Sequence, residues 1–253
     1  MLRLAIAAAS AAAAVAAGYQ TKSPTGQWYG RTFIGASYPS RQLALTYDDG
    51  PNDPHTQRLL ELLAKHNVHA TFFPIGRYVK LLPQIVREIS QAGHVIGNHT
   101  FTHPSLLFKS EPEIKRQLTD CRVALEDAIG AHSNFFRPPF GSRRPAVLRI
   151  ARELGFEPIM WNVTAYDWKG HGAPRIESKV SKQIRGGDVI LLHDGGHERI
   201  GIDRTQTVIA TDQLLTRYKA EEFEFVTIPQ MMANDSGIRS APKAPIRTLS
   251  SCL

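Results

Sequence analysis

Residues 43–51 read Leu-Ala-Leu-Thr-Tyr-Asp-Asp-Gly-Pro. The run begins as an apolar strand and stops on two adjacent carboxylates, Asp48 and Asp49. Asp-Gly-Pro is a strong turn signal. Alone, the stretch reads equally well as a plain turn and as a chemical site. Working outward, similar β-rich runs recur at residues 69–73, 94–97, 134–136, 158–161, 189–193 and 223–227. Helical patterns lie between most of them. Leu59, Leu60, Leu62 and Leu63 form one apolar stripe, and Ile85, Val86 and Ile89 form another. The clearest helix starts at Ser110, which makes a capping box with Glu113, while Pro112 sits in a first turn that tolerates it. Its stripe continues through Ile114, Leu118, Cys121 and Leu125. Val147, Leu148, Ala151 and Leu154 give one more helix, ended by Gly155.

This alternation predicts a parallel sheet with helices outside it. A count of about seven strands falls short of the eight in a regular barrel. The expected fold is therefore α/β: a distorted, incomplete (β/α) barrel of about seven parallel strands with outer helices. A doubly wound open sheet is the alternative, although no Gly-x-Gly-x-x-Gly follows the first strand.

The chain has 253 residues, long enough for a sizeable core. Its 42% apolar and 21% charged residues exclude a disordered or fibrous protein. Two cysteines, Cys121 and Cys252, exclude a disulfide-dense scaffold and a Cys-rich zinc module. Thirty Lys and Arg against 23 Asp and Glu leave a net charge of +7. The bases are spread rather than bunched, which fits an anionic surface better than nucleic acid. Residues 1–18 place Arg3 before an Ala-rich apolar stretch, with Ala14-Val15-Ala16 as a small-x-small cleavage site. They read as a secretory signal peptide, too short and too rich in alanine for a membrane span. An uncleaved anchor or a disordered Ala-rich start is the alternative. Residues 19–40 form a lead-in, 41–233 a catalytic domain and 234–253 a solvated, disordered tail. Cleavage would remove only Arg3 and leave +6, which suits a protein of the cell envelope or exterior without stable membrane insertion. No extended apolar surface helix stands out, so a monomer is expected.

Polar groups gather just after the strands. His99 and His103 are four apart, which places both on one face of a helical turn, close enough to hold one metal ion. With an Asp from a neighbouring strand end they would form a His-His-carboxylate set with open positions. Arg137-Pro138-Pro139-Phe140-Gly141 is a rigid loop able to present Arg137 and a backbone N–H. Asp167-Trp168 follows the fifth strand. In the sixth, period-2 alternation puts Leu191 and His193 on one face. Each group has a plain reading as a turn or a strand end. Five of them beyond the C-terminal ends of five strands are better explained by one site, since barrel enzymes assemble their chemistry on that face.

This ordered set resembles carbohydrate esterase family 4, the polysaccharide deacetylases with a nodulation-protein-B homology domain. The likeness runs from Leu43 to Met231. Thr46–Gly50, His99–His103, Arg137–Gly141, Asp167-Trp168 and Leu191–His193 each match a family motif, and Arg204–Val208 resembles the Arg-x-x-Thr segment that follows. The resemblance implies that Asp49, His99 and His103 bind a divalent metal, usually zinc, with cobalt or nickel as substitutes. It implies that Asp48 is the general base, held by Arg137, and that His193 is the general acid, held by Asp167. The backbone N–H of Phe140 would serve the oxyanion, and Leu191 and Trp168 would shape a pocket for the acetyl methyl. Thr164 stands where the family often has an acidic residue, and Phe140 where Tyr is commoner. His55, His171 and His197 read as loop residues.

Elementary chemistry agrees with these roles. An amide needs an activated water, a stabilised oxyanion and a proton for the departing amine. No Gly-x-Ser-x-Gly elbow offers a nucleophile instead. The expected activity is removal of acetyl groups from N-acetylglucosamine units of an acetylated polysaccharide, peptidoglycan or chitin-like. An O-acetyl xylan esterase of the same family is one alternative, and a non-catalytic glycan-binding module is another.

Overall fold

Alternation along the first strand sorts its side chains into two cores. In β1 (Gln42–Asp48), Leu43, Leu45 and Tyr47 join an outer apolar cluster, while Ala44 joins an inner one. The computed structural model describes residues 13, 15–131 and 133–240, with the backbone alone over 236–240. Seven more short strands follow: β2 (Thr71–Phe73), β3 (Val95–Ile96), β4 (Phe135–Phe136), β5 (Glu157–Pro158), β6 (Val163–Thr164), β7 (Asp188–His193) and β8 (Glu224–Phe225). The strand absent from the sequence reading is β6, whose two residues are too few to show a period.

The main sheet runs β3-β2-β1-β7-β6, with β8 also paired to β1, and β4 and β5 form a separate pair. Every ladder is parallel. Single bridges bend the arrangement toward a ring. Asn98 meets Phe136, Phe33 of the lead-in meets Ile159, and Gly35 meets Asp188. No ladder joins β5 to β6, so the ring stays open there. The distorted, incomplete barrel is what the sequence predicts.

Helices α1 (His55–Lys65), α2 (Gly76–Leu81), α3 (Pro83–Gln91), α4 (Glu111–Ile129), α5 (Pro145–Glu153), α6 (Ala173–Ser181), α7 (Thr205–Ala220) and α8 (Ile228–Ser240) connect the strands. The outer cluster lies between sheet and helices, and includes Leu59, Ile85, Cys121, Ile176, Ile190, Leu192 and Leu214. The inner cluster fills the barrel with Phe73, Met160, Trp161, Val189, Leu191 and Met231. Ser110 caps α4 by accepting from the Glu113 N–H at 3.4 Å, and Gly130 ends it at φ 67°. Cys121 is buried on the expected stripe, and burial pushes its thiol up to about 12.

One boundary expectation changes. The solvated tail expected from Asn234 does not begin there. Ile228 and Met231 anchor α8 in the inner cluster, the helix runs to Ser240, and buried Asp235 accepts the Ser37 N–H at 2.8 Å. Residues 241–253, with Cys252, lie outside the described residues, as does most of the expected leader, 1–12 and 14. Residues 15–22 are helical. Buried Arg143 ties this segment to the body: its backbone N–H donates to Thr21 O at 3.2 Å, and its guanidinium donates to the Ser23 and Gly26 carbonyls just beyond the helix and to Gly141 O. Among the described residues no helix is long and apolar enough to cross a membrane.

Candidate active site

Strand register sets the first pair of groups. β1 and β7 pair Asp48 with His193 and Thr46 with Leu191, so the carboxylate and the imidazole sit at one level. Both line a pocket of about 430 Å³ together with Asp49, His99, His103, Phe140, Trp161, Trp168 and Leu191. Arg137 and Asp167 lie behind it as supports.

Arg137 is fully buried inside the barrel. One of its nitrogens donates at 2.8 Å to both Asp48 Oδ1 and Thr46 Oγ1. The carbonyls of Ile159 and Met160 accept from the rest of the guanidinium, and Phe73 stacks 4.2 Å from it. A buried charge held by this many partners is a rigid clamp on Asp48. Burial lowers the Arg137 pKa, and Asp48 opposes that shift.

Asp49 follows at φ 73°, a left-handed turn that swings its carboxylate away from Asp48. The loop after β7 crosses this turn closely. A Cβ on Gly195 would lie 2.1 Å from Asp49 O, so only glycine fits. His99 and His103 are not on a helical turn, contrary to expectation. Thr100 and His103 have φ of 65° and 59°, and the segment is a loop. Helix α4 shapes it, because Gln117 Oε1 accepts the N–H groups of Phe101 and Thr102. Both Nε2 atoms still reach Asp49 Oδ1, at 3.5 Å for His99 and 3.2 Å for His103.

Asp49, His99 and His103 are buried and offer donor atoms within 4.8 Å of one another. Asp49 Oδ1 has no hydrogen-bond partner among the described residues. His99 Nδ1 must carry its proton, since it donates to the Arg137 carbonyl at 2.8 Å. Its Nε2 lone pair therefore faces Asp49, the tautomer a metal ligand needs. Burial opposes the charge of Asp49, but the close imidazoles of His99, His103 and His193 hold its carboxyl well below the usual range. Burial pushes His103 down to about 3. A buried carboxylate facing two imidazoles fits a divalent cation.

On the other wall, His193 Nδ1 donates to Asp167 Oδ1 at 2.9 Å, leaving Nε2 for the pocket. The second oxygen of Asp167 accepts the His193 N–H at 2.8 Å and Thr207 Oγ1 at 3.0 Å. Thr207 belongs to the Arg-x-x-Thr segment. Burial works against a charged His193, but the charge and hydrogen bond of Asp167 outweigh it and raise the pKa. Phe140 adopts φ 58°, and its N–H has no acceptor among the described residues. Of the seven non-glycine residues at positive φ among the described residues, Asp49, Thr100, His103, Phe140 and Tyr166 belong to these site loops. Such clustering of strain is typical of functional sites.

Sequence reasoning missed three contributors. His197 is not a bystander loop residue: it lines the pocket, stacks on His103 at 4.8 Å and packs edge-on to Phe140 at 5.1 Å. Its position beside the last motif was the available signal. Trp161 supplies apolar wall. Asp194, buried against Gly50, accepts from Thr56 Oγ1 at 2.5 Å, and burial pushes its carboxyl up to about 7. His55 instead lies 3.6 Å from Asp203, and His171 sits in the loop before α6.

Groups able to take, hold and return a proton, set around a trio able to hold a cation at the strand ends, define a hydrolytic enzyme on a parallel α/β scaffold. Known proteins narrow the class. The profile of the family described as polysaccharide deacetylase matches residues 35–159. A peptidoglycan-N-acetylglucosamine deacetylase of Bacillus cereus is 38% identical over 205 residues, 80% of this chain and 72% of that protein. A chitooligosaccharide deacetylase of Azorhizobium caulinodans is 39% identical over 155 residues, 60% of this chain and 72% of the relative. The crystal structure of the Bc1960 peptidoglycan N-acetylglucosamine deacetylase superposes with a TM-score of 0.74 at 36% identity, covering 79% of this chain and 92% of that one. The chain belongs to the polysaccharide deacetylase family, and it is a polysaccharide deacetylase enzyme.

Proposed function

We propose that the enzyme removes the acetyl group from N-acetylglucosamine units of a polysaccharide of the peptidoglycan or chitin type, with a divalent cation held by Asp49, His99 and His103. The observation that carries this reading is the convergence of Asp48 and His193 on one pocket with that trio. When bound, such a cation polarises the amide carbonyl and lowers the pKa of water toward about 7. Two imidazoles and one carboxylate suit zinc, with cobalt or nickel as substitutes.

The chain's own groups do the rest. Asp48, oriented by Arg137, accepts a proton from the attacking water as its oxygen bonds to the acetyl carbon. The Phe140 N–H donates to the carbonyl oxygen as negative charge builds there. His193 Nε2 hands its proton to the amine nitrogen as the C–N bond breaks, releasing acetate. Trp161, Trp168 and Leu191 offer apolar surface to the methyl group.

The test is acetate release by zinc-loaded protein from chitooligosaccharides, peptidoglycan and acetylxylan. Release from an N-acetylated glycan is expected, and none from any would overturn the reading. Release from acetylxylan alone would make the enzyme an O-acetyl esterase.

The proposal extends to export to the cell envelope or exterior. A cut after Ala16 keeps Ala17, whose carbonyl accepts from Thr21 Oγ1 at 2.8 Å and Tyr29 OH at 3.0 Å. Amino-terminal sequencing of secreted protein should begin at Ala17.

A further inference from the structure

An aromatic path leads away from the acid. Trp168 packs edge-on to His193 at 4.8 Å, and Tyr166 packs on Trp168 at 5.2 Å. Both rings remain 41% exposed, so they form a platform on the pocket rim as well as a wall. Two ammonium groups lie on the Tyr166 ring, Lys179 Nζ at 4.9 Å and Lys169 Nζ at 5.2 Å. Tyr166 is held at φ 53°, an uncommon conformation for a tyrosine.

Nothing nearby neutralises these cations. Among the described residues, Lys169, Arg175 and Lys179 enter no ion pair. The carboxylates of the same stretch are already engaged, Asp167 beneath His193 and Glu177 with Arg217 at 2.8 Å. His171 titrates low, through desolvation and then the fields of Arg175, Lys179 and Lys169. The rim beyond Trp168 is thus a patch of positive potential joined to the catalytic pocket by a stacking surface.

We infer that Lys169 and Lys179, carried on Tyr166, read a carboxylate on the sugar next to the N-acetylglucosamine unit held at Asp48 and His193. This rests on the deacetylase reading of that pocket. Sugar rings stack on aromatic faces, so Tyr166 and Trp168 would seat the neighbouring ring and bring its acidic substituent to the ammonium groups. A strand of alternating N-acetylglucosamine and carboxylate-bearing sugar complements this rim, whereas a neutral chitin chain leaves both cations unmatched. Rim charges act on specificity and encounter more than on raw affinity.

The test compares a tetrasaccharide of alternating N-acetylglucosamine and N-acetylmuramic acid with its methyl ester, which removes the negative charge and adds only a methyl group. Binding to zinc-loaded protein is measured by calorimetry beside acetate release. The acid should bind about tenfold more tightly than the ester at low ionic strength, the size expected of two exposed ion pairs. The ratio should fall toward one at about 1 M salt, where the screening length is about 3 Å. It should also fall toward one in the Lys169→Gln/Lys179→Gln variant. Equal binding of acid and ester, or a ratio unmoved by the double substitution, overturns the inference whether or not acetate appears. Absent acetate with the binding ratio intact overturns the deacetylase reading instead.

Discussion

Asp48 and His193 face each other across one register position, yet their supports differ. Asp48 is clamped by a buried guanidinium, so Asp48→Asn should leave the fold and the metal trio in place. Turnover should drop ~100- to 10,000-fold, the usual span for a lost general base, with metal content unchanged by elemental analysis. His193 carries a pKa raised by Asp167. The stabilisation from this pair is fully present below the unfolded value of about 6.5 and is lost as pH rises through the raised one. A step that needs protonated His193 therefore fails on an alkaline limb above 6.5. Asp167→Asn should move that limb of the kcat/KM profile to lower pH. His103 differs from His99 because its Nδ1 has no hydrogen-bond partner among the described residues. Its ring is held by aromatic packing, with Phe140 at 4.6 Å and His197 at 4.8 Å. His197→Ala should weaken zinc retention about tenfold in chelator competition, the scale on which outer supports act. His197→Phe, which keeps the packing, should restore it.

Among the elements, the long helix and the lead-in do the positioning. Helix α4 was legible from its cap and stripe because both are local signals. Its Gln117 holds the His99–His103 loop from sixteen residues away or less, and no periodicity announces that bond. The same limit explains the histidine pair. A spacing of four predicted a helical turn, whereas Gln117 and the positive φ of Thr100 and His103 build a loop that still brings both Nε2 atoms to Asp49. The lead-in is held by Arg143, whose three carbonyl acceptors lie in residues 23–26 and at Gly141. Arg143→Ala would leave those acceptors short of a charged donor, at a cost of about 3 kcal/mol. The midpoint of urea unfolding should fall accordingly, with an unchanged slope.

The whole molecule is a main parallel sheet and a separate β4-β5 pair, bent toward a ring by single bridges and open between β5 and β6. A cation held by Asp49, His99 and His103, which follow two different strands, would link distant segments of the chain. A ligand at a thousand times its dissociation constant adds about 4 kcal/mol of stability. For a domain of this size that corresponds to a thermal midpoint about 10 °C higher. Chelation should lower the midpoint by that amount, and zinc should restore it. Strand-helix alternation, the shared face of Leu191 and His193 and the chemical groups at the strand ends were written in the sequence, because periodicity and turn chemistry act over a few residues. Packing between remote segments settled the rest. It aligned Asp48 with His193 by register, seated the start of α8 in the barrel and carried the helix past Asn234, and returned His197 over His103 through a glycine crossing. Those outcomes depend on contacts between residues far apart along the chain, which no local pattern encodes.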